Sequence, residues 1–471
     1  MLCNTNKERE DKTMKHEVRY SLPTFNSMSA EEIQKEQERL LAIQLRYDYD
    51  KSPLYRKKFD DAGARPEDIK TLGDLRRLPI FMTKSQERDS QQESLERLGH
   101  PFGMHLCAPV EDLYVVGTTS GTTGRATFSY MFTKKDVDVE AAAFGYNFTV
   151  LGARRGDRVL WCYALGIYAT TIHTYGIRHI GALPIDIDAR AGVEMMLTFA
   201  EQTRPAYLAA TPSLAMYLAE RAPSIIHKGV KELGFKALQL TGEPWAAIPE
   251  IKGKIEEQYG CRAYDFWAPF GIAMGMSCDS DDYYGMHAYA PHLCTSYQDL
   301  VDPVTKEPIE ISDGAMGEMV FTALQRKAGP ALKYANGDIV KIFTEECPGC
   351  GFKGLRAKLV GRSDDMLIVK GVNIYPAAIK EVVASFMPRV MEMRIILDEP
   401  PPRVVPPLKL KVEYGQETIE SDLDGLAKEI GDSLHNRLKI RPAIEWVRPG
   451  TLEKSTRKTS PFEKRYEAKG K

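Results

Sequence analysis

The feature that most constrains this fold is an alternation. Short apolar runs, DRVLWCYA, ALPIDI, AYLAAT, KALQLTG and RAYDFWA, recur between positions 157 and 268, and amphipathic stretches such as GVEMMLTFAEQ separate them. Runs of about 4–8 apolar residues suit strands covered on both faces, and the intervening spacing is helical. The pattern therefore predicts βαβ units around a mostly parallel sheet. No fixed-period repeat is visible, which excludes a solenoid. Upstream, Ile33, Leu40, Leu41, Ile43 and Leu45 fall among charges at helical spacing, predicting a helix over 30–48.

Composition narrows the class of function. The 471 residues carry 63 Lys+Arg against 65 Asp+Glu, a formal charge of −2. A balance this even offers no electrostatic case for nucleic acid or an anionic membrane. The uncharged stretch Val159–Ile177 contains Thr170, Thr171, His173, Thr174 and three tyrosines, and reads as a buried strand leading into a helix rather than a membrane span. Eight cysteines in so long a chain make no disulfide scaffold, and the polar start MLCNTNKEREDK lacks the apolar core of a secretory signal. The expectation is a cytoplasmic protein.

Beyond the alternating region, GEMVFTAL reads as a strand after the turn-like ISDGAM. A boundary is expected at Gly361-Arg362-Ser363-Asp364-Asp365. After it the pattern predicts a strand at Met366–Val369, a helix from about Ala377, strands near Met393–Leu397 and Leu408–Val412, and a helix over Ile419–Leu438. Prolines 400–402 and 406–407 mark a stiff loop inside this α+β unit.

The densest chemical signal is Thr118-Thr119-Ser120-Gly121-Thr122-Thr123-Gly124, directly after the apolar LYVVG. Its glycines permit close backbone approach, and its hydroxyls sit beside N–H groups able to donate to phosphate oxygens. No Gly-Lys-Ser/Thr follows, so it is not a Walker loop. GxSxG and a post-strand GxGxxG are absent, so neither a hydrolase elbow nor a dinucleotide fingerprint is present. Asp338, after Gly337, can accept two hydrogen bonds from a vicinal diol, or can cap its own turn. Arg362 offers a planar fork to ribose or phosphate, or a surface ion pair. Cys347-Pro348-Gly349-Cys350-Gly351 is a knuckle whose spacing turns two thiolates toward one metal.

These segments resemble, in order, the motifs of adenylate-forming enzymes. TSGTTG is similar to their phosphate loop, Gly242-Glu243-Pro244-Trp245 to the segment beside adenine, and Tyr334-Ala335-Asn336-Gly337-Asp338 to the motif whose Asp binds ribose. Gly361–Asp365 is similar to the hinge motif and Gly371–Pro376 to the loop after it. SPLYRKKFDDAG, GEPW, CPGCG and GRSDDMLIVKGVNIYP together resemble the phenylacetate–CoA ligases from about residue 30 to 465.

The resemblance implies an α/β fold. A large multi-sheet N-terminal adenylation domain over 1–362 would be followed by a small α+β lid over 363–471. It implies an ATP-dependent, AMP-forming acid–CoA ligase working through an acyl-adenylate, with a small carboxylic acid, ATP and CoA as partners, no nucleic acid or membrane, and room for a homodimer. Carried over residue by residue, ATP is held by Thr119, Ser120, Gly121, Thr122, Thr123, Gly124, Gly242, Glu243, Pro244, Asp265, Phe266, Trp267, Asp338 and Arg362. Lys458 approaches the α-phosphate, with Lys454 as the alternative, although Arg457 stands where the family has glycine before the lysine. Asp364 is the hinge, and Lys370, Gly371, Val372 and Asn373 form the CoA loop. Tyr163, Leu165, Ile167, Tyr168, Trp245, Trp267, Ala268, Pro269 and Phe270 line the acyl pocket. The resemblance also implies a structural Zn2+ on Cys278, His287, Cys347 and Cys350, with His292 and Cys294 as alternatives.

One departure is large. The family's Tyr-Gly-x-Ser/Thr-Glu stands here as Trp267-Ala268-Pro269-Phe270-Gly271, so the Glu that holds Mg2+ is replaced by Gly271. The ion would then sit on the ATP phosphates or on another carboxylate. The bulk at this wall predicts a small branched or 2-hydroxy acid such as 2-hydroxyisobutyrate rather than an arylacetate. An arylacetate–CoA ligase of the phenylacetate type is the alternative reading, with a carrier-protein-loading enzyme and a non-catalytic nucleotide-binding homologue as further rivals.

Overall fold

The computed structural model describes residues 28–118, 127–166, 170–272, 274–452 and 460–468. The first long helix, Ala30–Lys51, starts where Ser29 and Glu32 form a reciprocal capping box. It lays Leu40, Leu41 and Leu45 into the first core, while Ile43 faces solvent.

Strands β1 (Leu113–Gly117) and β2 (Tyr130–Thr133) form an antiparallel ribbon flanking the hydroxyl-rich loop. Thr133 caps helix α1 (Lys134–Val150) through a box with Asp136. The alternation then unfolds as predicted: β3 (Arg158–Trp161), α2 (Thr170–His179), β4 (Leu183–Asp186), α3 (Val193–Thr203), β5 (Tyr207–Ala210), α4 (Pro212–Ile225), β6 (Ala237–Leu240), α5 (Pro249–Tyr259) and β7 (Arg262–Trp267). Helix α4 shows how sharply these turns are specified. Thr211 accepts from the Leu214 N–H, and Pro212 occupies a first-turn position where no N–H is needed.

The five strands pair in parallel in the order β7-β6-β5-β3-β4. Both faces are covered, which is why the strands read as continuous apolar runs. One face carries Leu160, Leu208, Leu238 and Leu240 against α3, α4 and α5. The other carries Val159, Trp161, Tyr207, Ala209 and Phe266 against α1 and α2. Antiparallel strands continue the sheet beyond β7, among them Met316–Ala323, β8 (Tyr334–Phe343) and β9 (Arg356–Arg362).

After β9 a single 3-10 turn, Ser363–Asp365, leads into a separate set of elements. A hairpin, β10 (Leu367–Val369) and β11 (Val372–Ile374), turns at Lys370 and Gly371, with φ of 51° and 82°. Two residues of positive φ are what a two-residue hairpin with native twist requires. Helix α6 (Pro376–Ala384) and helix α7 (Leu423–Leu438) cover β12 (Val390–Leu397), β13 (Lys409–Tyr414) and β14 (Ala443–Val447). The helix expected from Ile419 begins instead at Leu423, because 420–422 form a 3-10 turn. These elements bury their own core of Leu367, Ile379, Ile395, Leu410 and Ile430. Among the described residues no helix is long and apolar enough to cross a membrane.

Candidate active site

Strand register creates the polar end of the site. In the antiparallel pair β8–β9, Asp338 lies opposite Arg362. Arg362 Nη1 donates to Asp338 Oδ1 at 3.0 Å, and its Nη2 donates to the Asn336 carbonyl at 3.2 Å and to Asp364 Oδ2 at 3.3 Å. Asn336 Nδ2 donates to the second Asp338 oxygen at 2.7 Å, and the Asp338 N–H returns a bond to Asn336 Oδ1 at 2.9 Å. Burial works against the Arg362 charge, but Asp338, Asp364 and Asp365 outweigh it and hold the guanidinium above its ordinary range. The expected ribose residue, the arginine and the hinge aspartate thus form one connected group, with Asp364 exposed at its rim. Gly361, next to Arg362, admits the Tyr375 ring so closely that an added Cβ would stand 2.7 Å from it.

The GEPW segment follows β6. Glu243 accepts from the Ser213 N–H at 3.0 Å and the Ser213 hydroxyl at 2.6 Å, placing a carboxylate at the positive end of α4. Pro244 begins a 3-10 turn that buries Trp245 in the core on the α3–α5 face. Lys380 of α6 sits over the Trp245 ring at 4.4 Å while pairing with Glu392. Tyr163, Leu165 and Ala268, by contrast, join the core on the α1–α2 face. The residues expected around the acid are therefore divided by the sheet, and Trp245 does not join the others. Tyr163 donates to the Ala210 carbonyl at 2.5 Å, and its ring lies 4.6 Å from that of Trp161.

On β7, Asp265 is buried and accepts from the Tyr283 hydroxyl at 2.6 Å. Burial pushes its carboxyl up to about 6, against the opposing effect of that bond. Phe266 and Trp267 alternate, one to each side: Phe266 joins the α1–α2 face and Trp267 the core under the first helix. Pro269 is buried in the next turn. Gly271 occupies the place of the family's magnesium Glu, and its carbonyl accepts from Arg326 Nη2 at 3.0 Å. Arg326 is buried and pairs with buried Glu140 at 2.8 Å. A guanidinium at this spot is a poor neighbour for a dication, so the residues at Gly271 do not fit a magnesium site. Sequence offered no signal for Arg326, because its partners lie 55 and 186 positions away.

Thr119, Ser120, Gly121, Thr122, Thr123, Gly124, Ile167, Tyr168, Lys454 and Lys458 lie outside the described residues, as does the side chain of Phe270. Thr118, at the entry to the hydroxyl-rich loop, donates its N–H to the Gly166 carbonyl at 3.1 Å, tying that entry to the segment after Tyr163. Lys370, Gly371, Val372 and Asn373 are exposed on the β10–β11 hairpin.

The knuckle assembles with its expected partners. The ligand atoms of Cys278, His287, Cys347 and Cys350 all lie within 4.8 Å of one another, with Cys350 Sγ and His287 Nε2 3.3 Å apart. His287 Nδ1 lies 3.1 Å from the Met276 carbonyl, a bond that leaves Nε2 as the free ligand nitrogen. A tetrahedral zinc with bonds of about 2.3 Å separates sulfurs by about 3.8 Å, so this donor set fits one. His292 and Cys294 stand outside the group.

Comparison with known proteins places the chain. Residues 371–464 match the AMP-binding enzyme C-terminal domain. The chain is 30% identical to the phenylacetate–coenzyme A ligase of Pseudomonas putida over 370 residues, 77% of this chain and 78% of that one. The structure of a 2-hydroxyisobutyryl-CoA ligase with 2-HIB-AMP in the postadenylation state superposes with a TM-score of 0.83 at 26% identity, covering 94% of this chain and 92% of that one. The same ligase in its thioesterification state gives 0.66, at 26% identity over the same 94% and 92%. The chain belongs to the phenylacetate–CoA ligase family of adenylate-forming enzymes. It is an AMP-forming acid–CoA ligase, with ATP and CoA as its substrates.

Proposed function

We propose that this ligase activates a small branched or 2-hydroxy acid, with 2-hydroxyisobutyrate as the representative. The observation that carries the reading is that Tyr163 packs in one cluster with Trp161, Phe266 and Ala268, the rings of Trp161 and Tyr163 lying 4.6 Å apart, a packing that favours a small acid over an aryl ring. The likeness to a solved 2-hydroxyisobutyryl-CoA ligase over nearly the whole chain supports it.

The two half-reactions follow from the residues. The acid's carboxylate attacks the α-phosphorus of ATP, forming the acyl-adenylate and expelling pyrophosphate. Asp338 accepts from the ribose hydroxyls, while Arg362 and Asn336 hold its carboxylate in place. The loop Thr119–Gly124 donates to the phosphates, and Lys458, with Lys454 as the alternative, neutralises charge developing in the transition state. Asp265 and the Gly242–Pro244 turn border the adenine. Gly271 offers no ligand side chain, so the ATP phosphates or another carboxylate would have to hold a magnesium ion.

Residues 363–471 then turn about Asp364 as a lid on the 1–362 unit, bringing the Lys370–Asn373 hairpin to the incoming CoA. The CoA thiol, losing its proton, attacks the acyl carbonyl, and AMP leaves. Cys278, His287, Cys347 and Cys350 hold a structural zinc that pins the Cys347–Cys350 knuckle to the sheet.

The test is acid-dependent pyrophosphate release with MgATP, with and without CoA, over acetate, branched 2-hydroxy acids and arylacetates. Best turnover on a small 2-hydroxy acid with CoA is the expected result. Preference for phenylacetate over every small acid overturns the substrate reading.

A further inference from the structure

The parallel sheet places an unusual set of polar groups beneath the proposed acyl pocket. Trp161 of β3 is in register with Ala209 of β5, Ala209 with Gln239 of β6, and Gln239 with Tyr264 of β7. Residues in register across a sheet point to one face. Trp161, Ala209 and Tyr264 all belong to the α1–α2 face, so Gln239 points there too. This row lies two residues below Tyr163, toward the start of the strands.

Gln239 is 1% exposed, and neither its amide nitrogen nor its amide oxygen has a hydrogen-bond partner among the described residues. The same holds for Trp161 Nε1 at 0% exposure and for His173 Nδ1 at 4%. His173, on α2 above the row, has its ring 5.0 Å from that of Trp161 and 5.5 Å from that of Phe266. In the row, Ala209 stands between Trp161 and Gln239.

Buried polar groups are nearly always paired, and an amide buried without partners is destabilising. Three such groups on one face, in adjoining positions and next to Tyr163, constitute an unusual concentration. Apolar residues would have packed this floor at no such cost, as Leu160, Leu208 and Leu238 do on the reverse face.

We propose that Gln239, flanked by Trp161 and His173, is a specificity-determining residue. The acid it selects carries a hydroxyl on its chain, which donates to the Gln239 oxygen or accepts from its amide nitrogen. The proposal rests on the small-acid reading above and refines it: the pocket favours a hydroxylated acid over its hydrocarbon isostere. A site built to bond a hydroxyl rejects the analogue lacking it far more strongly than an apolar pocket rejects an added one.

The experiment compares matched acids in pyrophosphate release: 2-hydroxyisobutyrate against pivalate, 3-hydroxybutyrate against 3-methylbutyrate, and 4-hydroxyphenylacetate against phenylacetate. Each pair is run on the wild type, Gln239→Met and Trp161→Phe, with AMP binding and thermal melting as folding controls. The wild type is expected to favour the hydroxylated member of at least one pair. Gln239→Met should lower that kcat/KM ratio at least tenfold, and Trp161→Phe should lower it less, with AMP binding retained.

An unchanged ratio in Gln239→Met overturns the inference while leaving the small-acid reading standing. A wild type that prefers arylacetates overturns that reading alone, and the 4-hydroxyphenylacetate pair then decides the inference by itself. A Gln239→Met protein that melts higher with unaltered selectivity shows that Gln239 holds ordered water only, and also overturns it. If Gln239→Met fails to bind AMP, the ratio in Trp161→Phe decides: no change there refutes the proposal.

Discussion

The two ends of the site are built on opposite plans. At the proposed ribose end the polar groups already partner one another: Asp338 accepts from Arg362 and Asn336, and Arg362 also reaches Asp364. At the proposed acyl end Gln239, Trp161 and His173 are buried with polar atoms unmatched among the described residues. A nucleotide is the same in every turnover, so its pocket can be held rigid by its own bonds, which lowers the cost of ordering on binding. The acid end carries the choice of substrate, and groups left without internal partners are the means by which a buried surface can discriminate.

The comparison can be broken hardest at the chemistry itself. Lys458→Ala should reduce adenylation by about 10^3-fold while still converting a supplied acyl-adenylate to the thioester. Half-reaction kinetics check this, and equal loss in both halves assigns the charge-stabilising role elsewhere. Next in size, Asp338→Ala should lower kcat/KM for ATP by about a hundredfold, because it removes the proposed ribose acceptor and strands the half-buried Arg362. The acid selectivity measured on the same variant should not move, and a shift in it would show that the two ends are coupled.

The knuckle allows a smaller, structural test. Metal analysis should find one zinc per chain, and Cys347→Ser or a strong chelator should lower the melting temperature by about 5 °C or more with little change in acid preference. A metal-free protein of unchanged melting temperature removes the zinc. The smallest effect is expected at Lys380→Met, which takes the cation off the Trp245 ring and away from Glu392. A change of about three- to tenfold in the ratio of the two half-reaction rates is expected if this contact steadies the lid in the postadenylation-like arrangement. Equal rates in both halves relative to wild type make it ordinary packing.

Much of this was legible in one dimension where chemistry and spacing coincide. The βαβ alternation between 157 and 268 was readable because buried parallel strands need apolar residues on both faces. Asp338, Arg362 and the Cys347–Cys350 knuckle stood out because each sits in a contiguous motif, although their partners lie 24 and 63 positions away. Gln239 left a faint trace, a lone amide inside the apolar run KALQLTG. Its meaning depends on Trp161 and His173, far away in the chain and near only across strands. Which face of the sheet the Trp245 ring takes was illegible for the same reason, since its place in a contiguous motif carries no information about it.

The order of elements and the class of reaction were legible in the chain alone, since helical and strand periodicities and contiguous motifs are local properties. Only the tertiary structure decided that Arg362 faces Asp338, that Arg326 reaches the position of the missing magnesium ligand, and that polar side chains lie under Tyr163. Those facts depend on strand register and sheet face, which are set by packing between segments 24 to 78 residues apart.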